Sequence, residues 1–338
     1  MANIIIIGAG SMGTAFSFPC SDNGHSVSIV GTHLENDFVD KINSTKKHPA
    51  LDCEVQKNVK FFKFEKLKEE INKKIDLIVI AVVSKGIEWA SNEISKVLKS
   101  NVPILILTKG LAINNNNYEV LAHKMERLLK KNGMKETNIS AAGGPCLAKN
   151  LANKAHTAVV FANEDIKEAK KISKLVSTDY YHVSTSNDVV GVEICAAIKN
   201  IFAMAVGASQ GLCEANKSKE KNYLNTAATL IQESIYEMIT FVEKLNGKKE
   251  TVIGLAGIGD LYVSADGGRN SKMGEYLGKG LTFRNAKKRF MKDDTVEGAD
   301  LAYEIAPYIF KKINNQKIPL MIALLNSIVK NKKLKINY

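Results

Sequence analysis

A chain of 338 residues, 45% hydrophobic and 24% charged, is too long for one small core and has the balance of a globular protein, so two domains are expected. The formal net charge of +12 comes mostly from lysines spread along the chain, with no aromatic interleaving and no basic tail. That argues against nucleic acid and suits an anionic small molecule. Five scattered cysteines without a CxxC pair and six dispersed histidines argue against a disulfide framework and a zinc site. No apolar run reads as a membrane span, and the first residues lack a basic leader and a cleavage site, so a cytoplasmic protein is expected.

In chain order, residues 3–7 (NIIII) read as a fully buried strand. Gly8-Ala9-Gly10-Ser11-Met12-Gly13 follows at once, then a helix-length segment at 14–23 and a second strand at 25–30. This strand–GxGxxG–helix–strand order marks a dinucleotide-binding loop. Gly8 suits the tight turn, Gly10 lets the backbone approach a pyrophosphate, and Gly13 lets helix and strand pack closely. The helix N-terminus faces the phosphates with free N–H groups. The second strand runs into Gly31-Thr32-His33, with neither the acid that suits NAD nor the arginine that suits NADP. Either coenzyme fits that sequence. Glu35 comes a few residues late and reads as a cap or a solvated side chain.

Further strand signals fall at 58–64, 76–83, 103–107, 139–142, 156–161 and 180–183, with a helix at 87–98 between them. The alternation predicts a doubly wound, mainly parallel sheet, with ligands beyond the carboxyl ends of its strands. Ser84, Lys109 and residues 144–148 lie at such ends. Asparagine-rich residues 114–117 read as an exposed loop. Past residue 187 the strand signals stop, and helices are expected at 189–211, 223–245, 271–277, 283–290 and, as more than one helix, at 300–330. The expected division is a dinucleotide-binding domain at 1–187 and an all-α domain at 188–338 for substrate binding and dimerisation.

Between residues 194 and 208 only Lys199 and Asn200 are strongly polar, which suits a helix buried on all sides. A lysine there needs a partner or a depressed pKa, and one so tuned can donate and accept a proton. The plainer alternative is a lysine snorkelling at the edge of a core helix. Gly254, Gly257 and Gly259 suggest a flexible turn ahead of Asp260, which either caps a helix or pairs with Lys199. Gly267-Gly268 lead into Arg269-Asn270 just ahead of another helix. An arginine beside a helix N-terminus makes a phosphate site; the alternative is a surface arginine beside a capping asparagine.

Together these residues resemble the NAD(P)-dependent glycerol-3-phosphate dehydrogenases, from Gly8 to about Gly298. GAGSMGTA is similar to that family's dinucleotide loop and TKGL (108–111) to its first lysine motif. GVEICAAIKNIFAMAVG resembles the stretch with its catalytic lysine. GLAGIGDLYVSADGGRN, followed by VEG (296–298), resembles its substrate and cofactor closure. The resemblance implies a Rossmann-like domain, NAD or NADP as cofactor, and exchange of a hydride between nicotinamide and C2 of dihydroxyacetone phosphate. The product, sn-glycerol 3-phosphate, would supply phospholipid synthesis. Lys199 would be the proton donor and acceptor, with Asn200 and Asp260 orienting it and binding the glycerol end. Lys109 would lie between nicotinamide and substrate. Arg269 and Asn270 would hold the substrate phosphate, with Arg269 also near the cofactor. Gly144 would contact substrate; Ala148 and Glu297 would line the cofactor side; Ser11 and Met12 would touch the dinucleotide. Two positions depart from the family: Cys146 stands where serine is frequent in the GPS motif, and Gly268 replaces a loop serine, leaving its backbone N–H to serve the substrate. A dehydrogenase of another phosphorylated polyol or small hydroxy acid is the alternative on the same plan.

Overall fold

Four consecutive isoleucines make the first strand, Asn3–Ile7, and a strand with every side chain apolar has to be covered on both faces. The computed structural model, which describes residues 1–98, 101–115, 117–215, 223–313 and 315–336, shows how this is met. An eight-stranded sheet runs in the order Tyr181–Ser186, Thr157–Ala162, Ile139–Gly143, Ile104–Ile106, Leu77–Ile80, Asn3–Ile7, Ser26–Val30, Val59–Phe62. All its pairings are parallel except Ile139–Gly143 with Thr157–Ala162. Strand order reverses on either side of the first strand, which places a crevice beyond its carboxyl end, at the glycine loop.

The chain forms two compact units: residues 1–109 with 120–189, and residues 110–119 with 190–338. The first holds the sheet. Its helix Ser11–Asp22 packs on the short helix Ala148–Ala152, and Phe16 meets the rings of Phe161 and Tyr181. Among its described residues the second unit is helical apart from a hairpin that the sequence did not suggest. Leu111–Asn114 and Asn117–Val120 pair as a hairpin where a loop was expected at 114–117; residue 116 lies outside the described residues. Asparagine composition does suit the turn, where Asn115 takes a left-handed backbone. Beyond the turn, Tyr118 packs against Phe241 and Tyr308 and donates to the Ile305 carbonyl, which ties the hairpin to the helices.

The helix Val189–Ala215 is the core of the second unit. By length and composition its segment Val189–Cys213 could cross a bilayer, whereas no apolar run was expected to reach that length. Within the protein 89% of that apolar window is buried, as expected of a core helix. Glycine sets its closest contact. A Cβ on Gly207 would stand 2.1 Å from the Ser271 carbonyl oxygen, and one on Gly274 would stand 2.0 Å from that of Met204. The helices Val189–Ala215 and Arg269–Gly278 therefore meet backbone to backbone, a separation that side chains would prevent.

Glu237, buried on the helix Leu224–Lys244, accepts from the backbone N–H groups of Leu320 (2.5 Å) and Met321 (2.7 Å) at the start of Pro319–Ile328. Burial pushes its carboxyl up to about 7, against the pull of those two N–H donors. A carboxyl raised in the folded state favours the fold most below its unfolded pKa of 4.5, and that contribution is lost as pH rises through about 7. The loss is expected to reach about 3 kcal/mol. Urea unfolding of the native protein beside Glu237→Gln, at several pH values from 4.5 to 8, checks it. The stability difference between the two should move by that amount, with the native protein losing ground as pH rises.

Candidate active site

In the first unit the glycine loop is built as the motif requires. Gly8 has φ +111°, and a Cβ there would meet the Ala81 carbonyl oxygen at 2.6 Å. A Cβ on Gly13 would lie 2.4 Å from the Gly8 carbonyl oxygen. The lack of a Cβ at those two positions is required by close packing. Gly10 differs, since a Cβ there would meet nothing within 4 Å and its φ of −65° suits any residue. The space in front of Gly10 is therefore suited to a ligand. Gly10 caps the helix Ser11–Asp22, which has no side-chain cap and no acid in its first turn. The N–H groups at Ser11, Met12 and Gly13 open this helix, an arrangement that can receive an anion such as a pyrophosphate.

A small cavity of about 30 Å³ in the same unit brings together Met12, Lys109, Gly144 and Cys146. Lys109 Nζ lies 3.5 Å from the Gly144 carbonyl oxygen, and Gly144 needs its glycine, with φ +111°. Cys146 is partly buried and unbridged. Ala148 opens the short helix that packs on Ser11–Asp22. A larger cavity of about 370 Å³, lined by His123, Glu126, Asn163 and Glu168 among others, sits at the amino end of Ile139–Gly143 and includes none of the predicted site residues.

The second cluster is in the helical unit. Lys199 and Asp260 are both buried, and Lys199 Nζ donates to Asp260 Oδ1 and, at 2.5 Å, to Ser264 Oγ. Ser264 Oγ in turn donates to the Asp260 carbonyl at 2.7 Å. Of the two readings for Asp260, the pairing is the one observed: it opens the helix Asp260–Ala265 but Gly259 is the cap. Nor is the preceding glycine passage a flexible turn. Leu255–Gly259 is a π-helical turn in which a Cβ on Gly257 would lie 1.9 Å from the Val252 carbonyl oxygen. Asp260 is the first residue after this turn, and it is buried. Ser264 was missed in the sequence. Its signal was its place four residues after Asp260, on the same helix face.

Asn200, Asn270 and Glu297 form the neighbouring group. Asn270 Nδ2 donates to Asn200 Oδ1 at 3.2 Å and lies 3.5 Å from Glu297 Oε2, while Asn270 Oδ1 accepts from the Gly298 N–H at 2.9 Å. Arg269, half exposed, is ion-paired with Glu297. Gly268 caps the helix Arg269–Gly278, again with no side-chain cap and no acid in the first turn. This N-terminus, with a guanidinium at its first position, can receive a phosphate.

Residues 3–169 match the family described as NAD-dependent glycerol-3-phosphate dehydrogenase N-terminus, and residues 188–336 match its C-terminus. The NADP(+)-dependent glycerol-3-phosphate dehydrogenase of Archaeoglobus fulgidus is 32% identical over 311 residues, 90% of each chain. The glycerol-3-phosphate dehydrogenase [NAD(P)+] of Francisella tularensis subsp. holarctica is 30% identical over 95% of this chain and 91% of its own. Among solved structures, glycerol-3-phosphate dehydrogenase from Coxiella burnetii has a TM-score of 0.81 at 24% identity, covering 98% of this chain and 96% of its own. That from Plasmodium falciparum has a TM-score of 0.83 at 20% identity, covering 100% and 97%. These structures share the fold.

Proposed function

The chain belongs to the NAD-dependent glycerol-3-phosphate dehydrogenase family, and from that premise we propose the part each cluster plays. The protein is an NAD(P)-dependent oxidoreductase that interconverts dihydroxyacetone phosphate and sn-glycerol 3-phosphate. Nothing among the relatives favours a different hydroxy acid or polyol. The nicotinamide, when bound, gives up the hydride in reduction and takes it in oxidation.

The buried Lys199–Asp260 pair, with Ser264 bonded to it, carries the reading. Lys199 Nζ is assigned to the substrate C2 oxygen. As ammonium it polarises the ketone and delivers a proton to the oxygen as negative charge develops there; as amine it takes that proton back in the reverse direction. Asp260 compensates the buried ammonium, and with Ser264 it fixes where Nζ points. Asn200 binds the glycerol end. Arg269, Asn270 and the Gly268 N–H hold the phosphate. Lys109, Gly144 and Cys146 serve the substrate from the first unit, where a thiol hydrogen-bonds more weakly than the usual hydroxyl. Gly8, Gly10, Ser11, Met12 and Gly13 hold the dinucleotide, with Ala148, Lys109, Arg269 and Glu297 as further cofactor contacts.

The product suits phospholipid synthesis in the cytoplasm. A homodimer through the helical unit goes with this reading, and Leu224, Tyr236, Ile253 and Tyr262 are exposed on that unit. The test of function is oxidation of NADH and NADPH with dihydroxyacetone phosphate beside unphosphorylated dihydroxyacetone. Turnover that depends on the phosphate supports the reading. Equal turnover of both ketones, or none while cofactor binds, overturns it.

A further inference from the structure

The sequence offers no acid at the end of the second strand, but the structure brings one there. Glu35 lies 22 positions after Gly13 and its chain turns back, with its own N–H donating to the Thr32 carbonyl at 2.9 Å. Its carboxylate accepts from the Thr32 N–H at 2.7 Å and from the Ala9 N–H, inside the glycine loop, at 3.3 Å. It therefore bridges the carboxyl ends of the first two strands, where the adenosine ribose of a dinucleotide seated on that loop arrives.

We propose that Glu35 is the residue that selects the coenzyme, and that it makes the protein prefer NAD(H) over NADP(H). The inference rests on the reading of the glycine loop as the dinucleotide site. Three observations favour it. Both backbone bonds end on Oε2, which leaves Oε1 to accept from a ribose hydroxyl. The Thr32 N–H, a donor that a 2′-phosphate would use, is already taken by a carboxylate oxygen. Finally, no arginine or lysine occurs from Gly31 to Asp40, and Lys63, the cation that reaches this stretch, is paired with Asp40 at 2.7 Å. His33 is turned towards Phe64 and Trp89, with ring centroids 6.3 and 5.4 Å away. A 2′-phosphate would bring a dianion against a fixed carboxylate, with no arginine or lysine within 31–40 to balance it.

Trp89 is the one tryptophan in the chain, so cofactor binding can be followed by its fluorescence as well as by calorimetry, without turnover. The native protein should bind NADH about tenfold or more tightly than NADPH, the scale of a like-charge contact in a half-exposed site. Added salt should narrow the ratio by screening. Glu35→Gln keeps an oxygen for the backbone donors but removes the charge. It should bring the two coenzymes within about threefold, mainly through tighter NADPH binding. A general loosening of the loop would weaken both and leave the ratio unmoved.

Equal or tighter NADPH binding by the native protein overturns the proposal, as does a ratio unchanged in Glu35→Gln. If that variant does not fold, the salt series on the native protein decides: NADPH losing ground to NADH as salt rises would show a cationic phosphate site and overturn the proposal. Failure here with phosphate-dependent turnover intact leaves the enzyme reading standing. A preference for NADH without turnover does the reverse.

Discussion

Replacing Lys199 with arginine is expected to lower kcat for dihydroxyacetone phosphate reduction by roughly two to four orders of magnitude while leaving the fold and NADH binding in place. Arginine keeps the positive charge that Asp260 faces in a buried site, so the cost of an unpaired carboxylate is avoided. It still donates hydrogen bonds, but it holds its proton at any working pH and cannot pass it to the substrate. Lys199→Met is the harsher companion. It leaves Asp260 buried without its ammonium and should cost about 3 kcal/mol of stability besides the rate. Steady-state kinetics together with thermal unfolding separate the two effects. A folded Lys199→Arg protein with most of its activity would remove Lys199 from the proton transfer.

The second large effect is expected at Arg269. Arg269→Ala removes a guanidinium from the first turn of Arg269–Gly278 and frees Glu297 from its ion pair. Loss of the charge-assisted bonds to a phosphate should lower kcat/KM for dihydroxyacetone phosphate roughly 100-fold or more. Glu297, with its negative charge no longer balanced, adds to the loss. At saturating NADH, which removes the part Arg269 plays at the cofactor, the rate with unphosphorylated dihydroxyacetone should change by less than about threefold, because that ketone has nothing for the arginine to hold. Measuring both substrates with one variant gives the discrimination directly. An equal fall for both would place Arg269 in the fold or at the cofactor instead of at the phosphate.

Much of this arrangement is legible in the sequence because burial leaves a mark there. Strands covered on both faces read as unbroken apolar runs such as NIIII and LIVI, and the Val189–Ala215 helix stands out as an apolar stretch broken by Lys199 and Asn200. What was hidden depends on contacts between residues far apart in sequence, or on side chains that reach back. The hairpin at 111–120 carries the asparagines of a loop, and Tyr118 earns its place only through Phe241, Ile305 and Tyr308. Ser264 is an ordinary helical serine until Lys199 arrives 65 positions away. Glu35 stands too late in the sequence to be read as the acid of the second strand, and only the turn at Thr32 returns it to the glycine loop. Nothing in the sequence marks Gly207 and Gly274, whose missing Cβ atoms let the helices that carry Lys199 and Arg269 meet.

The central claim is hydride transfer to C2 of a phosphorylated ketone, and isotope labelling tests it most directly. NADH carrying two deuterons at C4 of the nicotinamide is incubated with dihydroxyacetone phosphate and the native protein, and the product is examined by mass spectrometry and NMR. The account predicts sn-glycerol 3-phosphate with one deuteron, at C2, in a single configuration. Deuterium at another carbon, a mixture of configurations at C2, or oxidation of the coenzyme without deuterated glycerol phosphate would contradict it.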